Sequence, residues 1–183
     1  MAYPTAEDLR RWLRHTEPFT PDETEAAELF LEGAVGAVEE EAGQALLQST
    51  DTVTLDGTGT AKLILPRWPV TAVAEVIEDG ELLAYGKDAD YTWSASGLLT
   101  RRCACWPHAD QIVDVTYTAG FTVIPPSLKR IVLRLAAEVW SNPTGLASET
   151  IGDWARSWKL AGGTVGELTD ADRRAINAYR ART

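Results

Sequence analysis

The chain has 183 residues, 45% hydrophobic and 24% charged, with a net charge of −10, enough for a sizeable core as one domain with an elaboration. No apolar run approaches the roughly 20 residues that span a bilayer, and the first residues lack the basic head and apolar run of a signal peptide, so a soluble protein made in the cytoplasm and without membrane contact is expected. Residues 1–50 carry −8, residues 51–125 carry −5 and residues 126–183 carry +3. Most of the surface is therefore unsuited to gripping nucleic acid, and the basic last third alone suits an acidic partner or a short stretch of phosphate.

Thr5-Ala6-Glu7-Asp8 is an acidic variant of the capping box and predicts a short helix from Ala6 to about Arg14, with Leu9, Trp12 and Leu13 inward. Thr20-Pro21-Asp22-Glu23 is a stronger start, with Thr as cap, Pro at the first position and Glu at the third. It predicts a helix from Pro21 to about Leu47, about 40 Å long at 1.5 Å per residue. Ala27, Phe30, Ala34, Val38, Ala42 and Ala45 mark its inner face, and Gly33 and Gly36 are read with the small residues that let another helix approach. Glu39, Glu40 and Glu41 form an acidic run: a solvated face, or a surface that repels passing DNA.

From Asp51 the pattern becomes β. Thr52–Leu55 and Ala61–Leu65 read as a hairpin across Asp56-Gly57-Thr58-Gly59. Val70–Ile77 is followed by an Asp79-Gly80 turn, Tyr91–Trp93 faces Leu98–Thr100 across Ser96-Gly97, and Val113, Val115 and Tyr117 alternate with polar residues. No helix pattern intervenes, so the segment reads as an antiparallel meander of five to seven strands. Cys103 and Cys105 are too close for an unstrained bridge. With His108 they reach three ligands, one short of a structural zinc site, so reduced thiols and no metal are expected.

Pro125-Pro126 opens a central helix whose Leu128, Ile131, Val132, Leu135 and Val139 form one stripe, and Ser141-Asn142-Pro143 ends it. A polar, tryptophan-bearing arm follows, then a last helix, Asp170 to about Arg180, with Ile176 and Tyr179 on one side and arginines on the other. In the arm, Trp154 and Trp158 lie four apart with Arg156 and Lys159 between and beside them. Aromatics and Arg are what interfaces concentrate at their anchors; the other reading is that the arm folds back and buries both rings. The order is α+β: helix, long helix, β insertion, central helix, arm, terminal helix. The expected boundaries are a helical core of 1–50 and 124–144, a β-rich insertion of 51–123, an arm of 145–168 and a terminal helix of 169–183.

No catalytic constellation emerges. There is no Gly-Xaa-Ser-Xaa-Gly elbow, no phosphate-cradling loop ending in Lys-Ser/Thr and no dinucleotide fingerprint, and no carboxylate pair is marked by its spacing. The expectation is a protein that is not an enzyme and takes no cofactor.

TVTLDGTGTAKLILPRWPVTAV, DVTYTAGFTVIPPSLKRIVLRLAAEVWSNPTGLASETIGDWARSW and LTDADRRAINAYR, with TAEDLRRWL and the long acidic helix, resemble the head-to-tail adaptor (connector) proteins of tailed bacteriophages, in the form found in phages of actinobacteria. The resemblance implies a small helical bundle carrying the β meander as an insertion. It implies a structural virion protein at the head–tail junction, in a ring of about twelve copies below the portal that joins capsid to tail and extends the DNA channel. Its partners would be the portal protein, neighbouring copies and the next connector or tail protein, with DNA passing unbound. By position, Leu146, Ile151, Trp154, Arg156, Trp158 and Lys159 would make contacts, and Glu39, Glu40 and Glu41 would face the channel. The alternatives are another connector layer (a stopper or tail-completion protein), or a nucleic-acid binding module using Arg173, Arg174 and Arg180.

Overall fold

The structure, a computed structural model, describes residues 3–143, 148–151, 154–157 and 165–181, with 148–151 and 154–157 described as backbone. The chain is α+β and divides into two compact units. The first, Met1–Gly43 with Val123–Arg180, holds four helices: α1 (Ala6–Trp12), α2 (Pro21–Ala42), α3 (Pro126–Ser141) and α4 (Asp170–Asn177). Three begin as their sequences dictate. Thr5, Thr20 and Thr169 accept hydrogen bonds from the amides of Asp8, Glu23 and Asp172, whose carboxylates return to the cap amides. Each box satisfies two amides that a helix start would otherwise leave open.

α2 is shorter than its apolar pattern suggests. Gly43 takes a left-handed φ of 65° and donates its N–H to the Glu39 and Glu40 carbonyls, ending the helix before Ala45 and Leu46. Glycine meets no steric penalty in that conformation, so a C-terminal stop overrides the apolar residues beyond it. Ala27, Leu31, Ala34, Val38 and Ala42 form its buried line, and α2 packs on α3 through it. The alanines allow close approach. Gly33 and Gly36 do not share that role: both are exposed. α3 buries Leu128, Ile131, Val132, Leu133, Leu135 and Ala136 and ends at Asn142, before Pro143. Leu9 is fully buried, but Trp12, the last residue of α1, is 44% exposed and not part of the core. Trp140 is half-buried, stacked on Phe19 with centroids 4.7 Å apart and edge-on to Phe30.

The second unit is built on Gln44–Thr122. Its strands are β1 (Ser49–Leu55), β2 (Lys62–Ile64), β3 (Val70–Glu78), β4 (Glu81–Leu82), β5 (Tyr91–Trp93), β6 (Leu98–Arg101) and β7 (Val113–Ala119). They form antiparallel sheets in the orders β1-β7-β3-β4 and β2-β6-β5. The β3–β4 and β5–β6 hairpins form across Asp79-Gly80 and Ser96-Gly97 as their turn residues dictate. The hairpin read across Asp56–Gly59 does not form. β1 pairs with β7, Val53 opposite Val115, while β2 pairs with β6. The loop between β1 and β2 instead holds residues 107–111: Asp56 accepts from the Gln111 amide at 2.8 Å and Gly57 donates to the Ala109 carbonyl at 2.8 Å. Glycine is required there, since a Cβ on Gly57 would sit 1.9 Å from the Pro107 oxygen.

Both sheets bury their inner faces in one cluster that includes Leu63, Val76, Leu99, Trp106, Val113 and Val115. The outer face of β1 and β7 carries a hydroxyl ladder, Thr50–Thr118 at 2.7 Å, Thr52–Thr116 at 2.9 Å and Thr54–Asp114 at 2.6 Å. Such alternation fits an antiparallel sheet with one wet side.

Candidate functional site

The most one-sided charge in the helical unit belongs to α2. α2 has eight carboxylates and no base. The acidic run near its end is not uniformly free. Glu39 accepts the Tyr3 hydroxyl, and Glu41 is half-buried and paired with Arg173 of α4 at 2.6 Å. Glu40 is exposed and, with Ala37, Glu41, Gly166, Glu167, Leu168 and Arg173, lines an open groove of about 340 Å³.

Ion pairs also fasten the helices of this unit to one another. Lys129 of α3 reaches Asp8 of α1 at 3.0 Å, and Arg134 of α3 bridges Glu138 and, at 2.6 Å, Asp172 of α4. Burial pushes the Asp8 carboxyl up, but the Lys129 ammonium and the Thr5 amide outweigh it and hold the group below its ordinary value. The Arg10 guanidinium, helped by Arg11, lowers Glu7 to about 2. The Asp8 shift belongs to a helix cap and a helix–helix contact, and the Glu7 shift to ion pairs within α1.

The arm contains a feature the sequence did not reveal. β8 (Ser148–Ile151) and β9 (Trp154–Ser157) pair antiparallel, Ile151 opposite Trp154 and Glu149 opposite Arg156. Strand alternation then places Ile151, Trp154 and Arg156 on one register face of a two-stranded hairpin. Of the other candidate contact residues, Leu146, Trp158 and Lys159 lie outside the described residues. The signal was the Ser-Glu-Thr-Ile and Trp-Ala-Arg-Ser alternation either side of Gly152-Asp153. Sequence reading also missed Leu29, 64% exposed on the outer side of α2; it was legible from its position opposite the Ala27–Ala42 line.

Cys103 and Cys105 are free and exposed. Among the described residues there is no group of three potential metal ligands, and no helix is long and apolar enough to cross a membrane. Among the described residues, an acidic face of α2 and the arginines of α4 are exposed.

A family model described as head completion protein matches residues 4–152. In fold, the chain is similar to a chain of the neck of an empty gene transfer agent (GTA) particle computed with C6 symmetry. The TM-score is 0.61 at 20% identity, covering 100% of this chain and 94% of that chain. A chain of the virion of the native GTA particle gives a TM-score of 0.61 at 19% identity, covering 100% and 94%. A chain of the neck of the native GTA particle computed with C12 symmetry gives 0.57 at 18% identity, covering 100% and 93%. No curated protein matches the sequence.

Proposed function

The chain belongs to the head completion protein family, and from that premise we propose that it is a non-enzymatic structural part of the head–tail junction of a phage-like particle. Copies of it form a ring, about twelve around, beneath the portal protein; the ring joins the head to the next connector or tail protein and extends the DNA channel. The observation that carries this reading is the family match from Pro4 into the arm, across both units. The like fold of chains from GTA necks computed with C6 and C12 symmetry supports a ring.

The residues take roles that suit such a part. DNA passes without specific binding, because an acidic wall repels phosphate; Glu40, with Glu39 and Glu41 beside it, faces the channel. The β8–β9 hairpin, with Ile151, Trp154 and Arg156 on one register face, and with it Leu146, Trp158 and Lys159, meets the portal. A two-stranded hairpin is marginal alone in water, so it gains most of its stability on docking, where aromatic anchors offset the ordering cost. The measurement is docking onto portal-bearing heads that lack the protein. The full chain binds and restores tail joining, and truncation after Gly145 abolishes both. Full affinity in the truncated chain contradicts the arm's role, and no binding by the full chain contradicts the whole reading.

A further inference from the structure

The buried line of α2 leaves an opposite face made of Glu25, Leu29, Glu32, Gly33 and Gly36, all exposed. Three observations on it are unexplained by the described residues, although Leu29 and Gly33 also edge a groove shared with Leu135, Val139 and Val165. Leu29 is 64% exposed. A Cβ added at Gly33 or Gly36 meets nothing within 4 Å, and neither glycine has a positive φ. Each therefore weakens the helix relative to alanine with no turn or neighbour requiring it. Finally, Glu25 and Glu32 make no ion pair among the described residues, and with Glu28 between them they repel at helical spacings of three and four. A face notched by glycine, centred on an exposed leucine and rimmed by uncompensated carboxylates fits a second helix carrying short side chains and a cation.

The chain itself carries such a helix. On α4, Asp172 faces Arg134, Arg173 faces Glu41 and Ile176 is buried, which fixes the inner side. Arg174 lies on the outer side, with Ala171 three residues before it and Ala178 four after; all three are exposed. Resting on the reading that copies of this chain assemble together, we propose that the outer face of α2 receives the α4 helix of a second copy. Arg174 lies against Glu25 and Glu32, and Ala171 and Ala178 close over Leu29 and the glycine notch. The two surfaces belong to different elements, so the contact is heterologous. Each copy keeps one donor and one acceptor face, and the series ends only when it closes on itself. Two α2 faces cannot meet each other, because like charges would be opposed.

The test is charge reversal read by sedimentation velocity, alone and on portal-bearing heads, with thermal unfolding as the fold control. Glu25→Lys with Glu32→Lys, and separately Arg174→Glu, each lower the assembly constant about tenfold or more, the effect of reversing close interfacial charges. An equimolar mixture of the two variants assembles to within about threefold of the parent, because the mixed interfaces are complementary again. Folded variants that assemble like the parent, or a mixture that stays unassembled, overturn the proposal. A parent chain that never assembles overturns the ring reading and this contact with it, whereas a parent that assembles beside indifferent variants overturns this contact alone.

Discussion

Arg101 shows how much of the β unit rests on single side chains. It pairs with Glu78 at 2.9 Å, with both groups largely buried, and its guanidinium lies 5.5 Å from the centre of the buried Trp106 ring. Glu78 is in β3 and Arg101 in β6, so the pair ties one sheet to the other. Removing one partner strands a buried charge, so Arg101→Ala should cost about 3–5 kcal/mol in urea unfolding. Replacing both residues by leucine should cost clearly less, since the one carboxylate then left without Arg101, Asp90 at 3.6 Å, is half exposed to water. A loss under about 1 kcal/mol for Arg101→Ala would show that water reaches the pair. Arg67 works differently. Its guanidinium donates to the Leu47 carbonyl at 2.8 Å and pairs with Asp51, closing the entry to β1. Neither arginine was legible in the sequence, because each meets partners far along the chain.

At the scale of elements, legibility followed locality. The helix starts were readable because cap and third residue lie three apart, as in Thr5–Asp8, Thr20–Glu23 and Thr169–Asp172. The β3–β4 and β5–β6 turns were readable from Asp79-Gly80 and Ser96-Gly97 for the same reason. The pairing of β1 with β7 was not: Val53 and Val115 are brought together by tertiary packing, and the alternation of β1 fits any antiparallel partner. The helix α2 also overran in the reading, because apolar residues continue past Gly43 and periodicity does not register a left-handed cap. Its exposed glycines give an element-scale prediction. Gly33→Ala and Gly36→Ala should each stabilise the free chain by about 0.5–1 kcal/mol, and Gly36→Leu should leave the unfolding midpoint at least unchanged while lowering assembly. Destabilisation by the alanine variants would mean that the glycines serve the fold itself.

At the scale of the whole molecule, the two units should respond to opposite ends of the pH range. In the helical unit Glu7, Asp8 and Glu23 have folded values below their ordinary ones: Arg10 acts on Glu7, Lys129 and the Thr5 amide outweigh burial at Asp8, and the Thr20 amide and hydroxyl act on Glu23. A lowered carboxyl contributes stability that is complete above its unfolded value and is lost as pH falls through the folded one. For Glu7 that window runs from 4.5 down to about 2. In the β unit burial raises Tyr91 and Tyr117, so their contribution is complete below the unfolded value of 10.0 and is lost as pH climbs past it. Hydrogen exchange should therefore show helix amides losing protection first in acid and sheet amides first in alkali. Loss in the reverse order would contradict these assignments.

The division also shows what kind of function could be read from residues alone. The charged faces of α2 and α4, from which the proposed contacts are drawn, follow from composition and spacing. The register of the hairpin, Ile151 opposite Trp154, needed the fold, because alternation alone fits any antiparallel partner. The proposed role as a wall segment of the head–tail conduit is tested most directly by a cryo-electron microscopy map of portal-bearing heads incubated with the purified chain. The account predicts a closed ring of this fold seated under the portal around an open channel, with density for the β8–β9 hairpin against the portal. Heads that carry no added density, or single copies scattered away from the portal vertex, would contradict it.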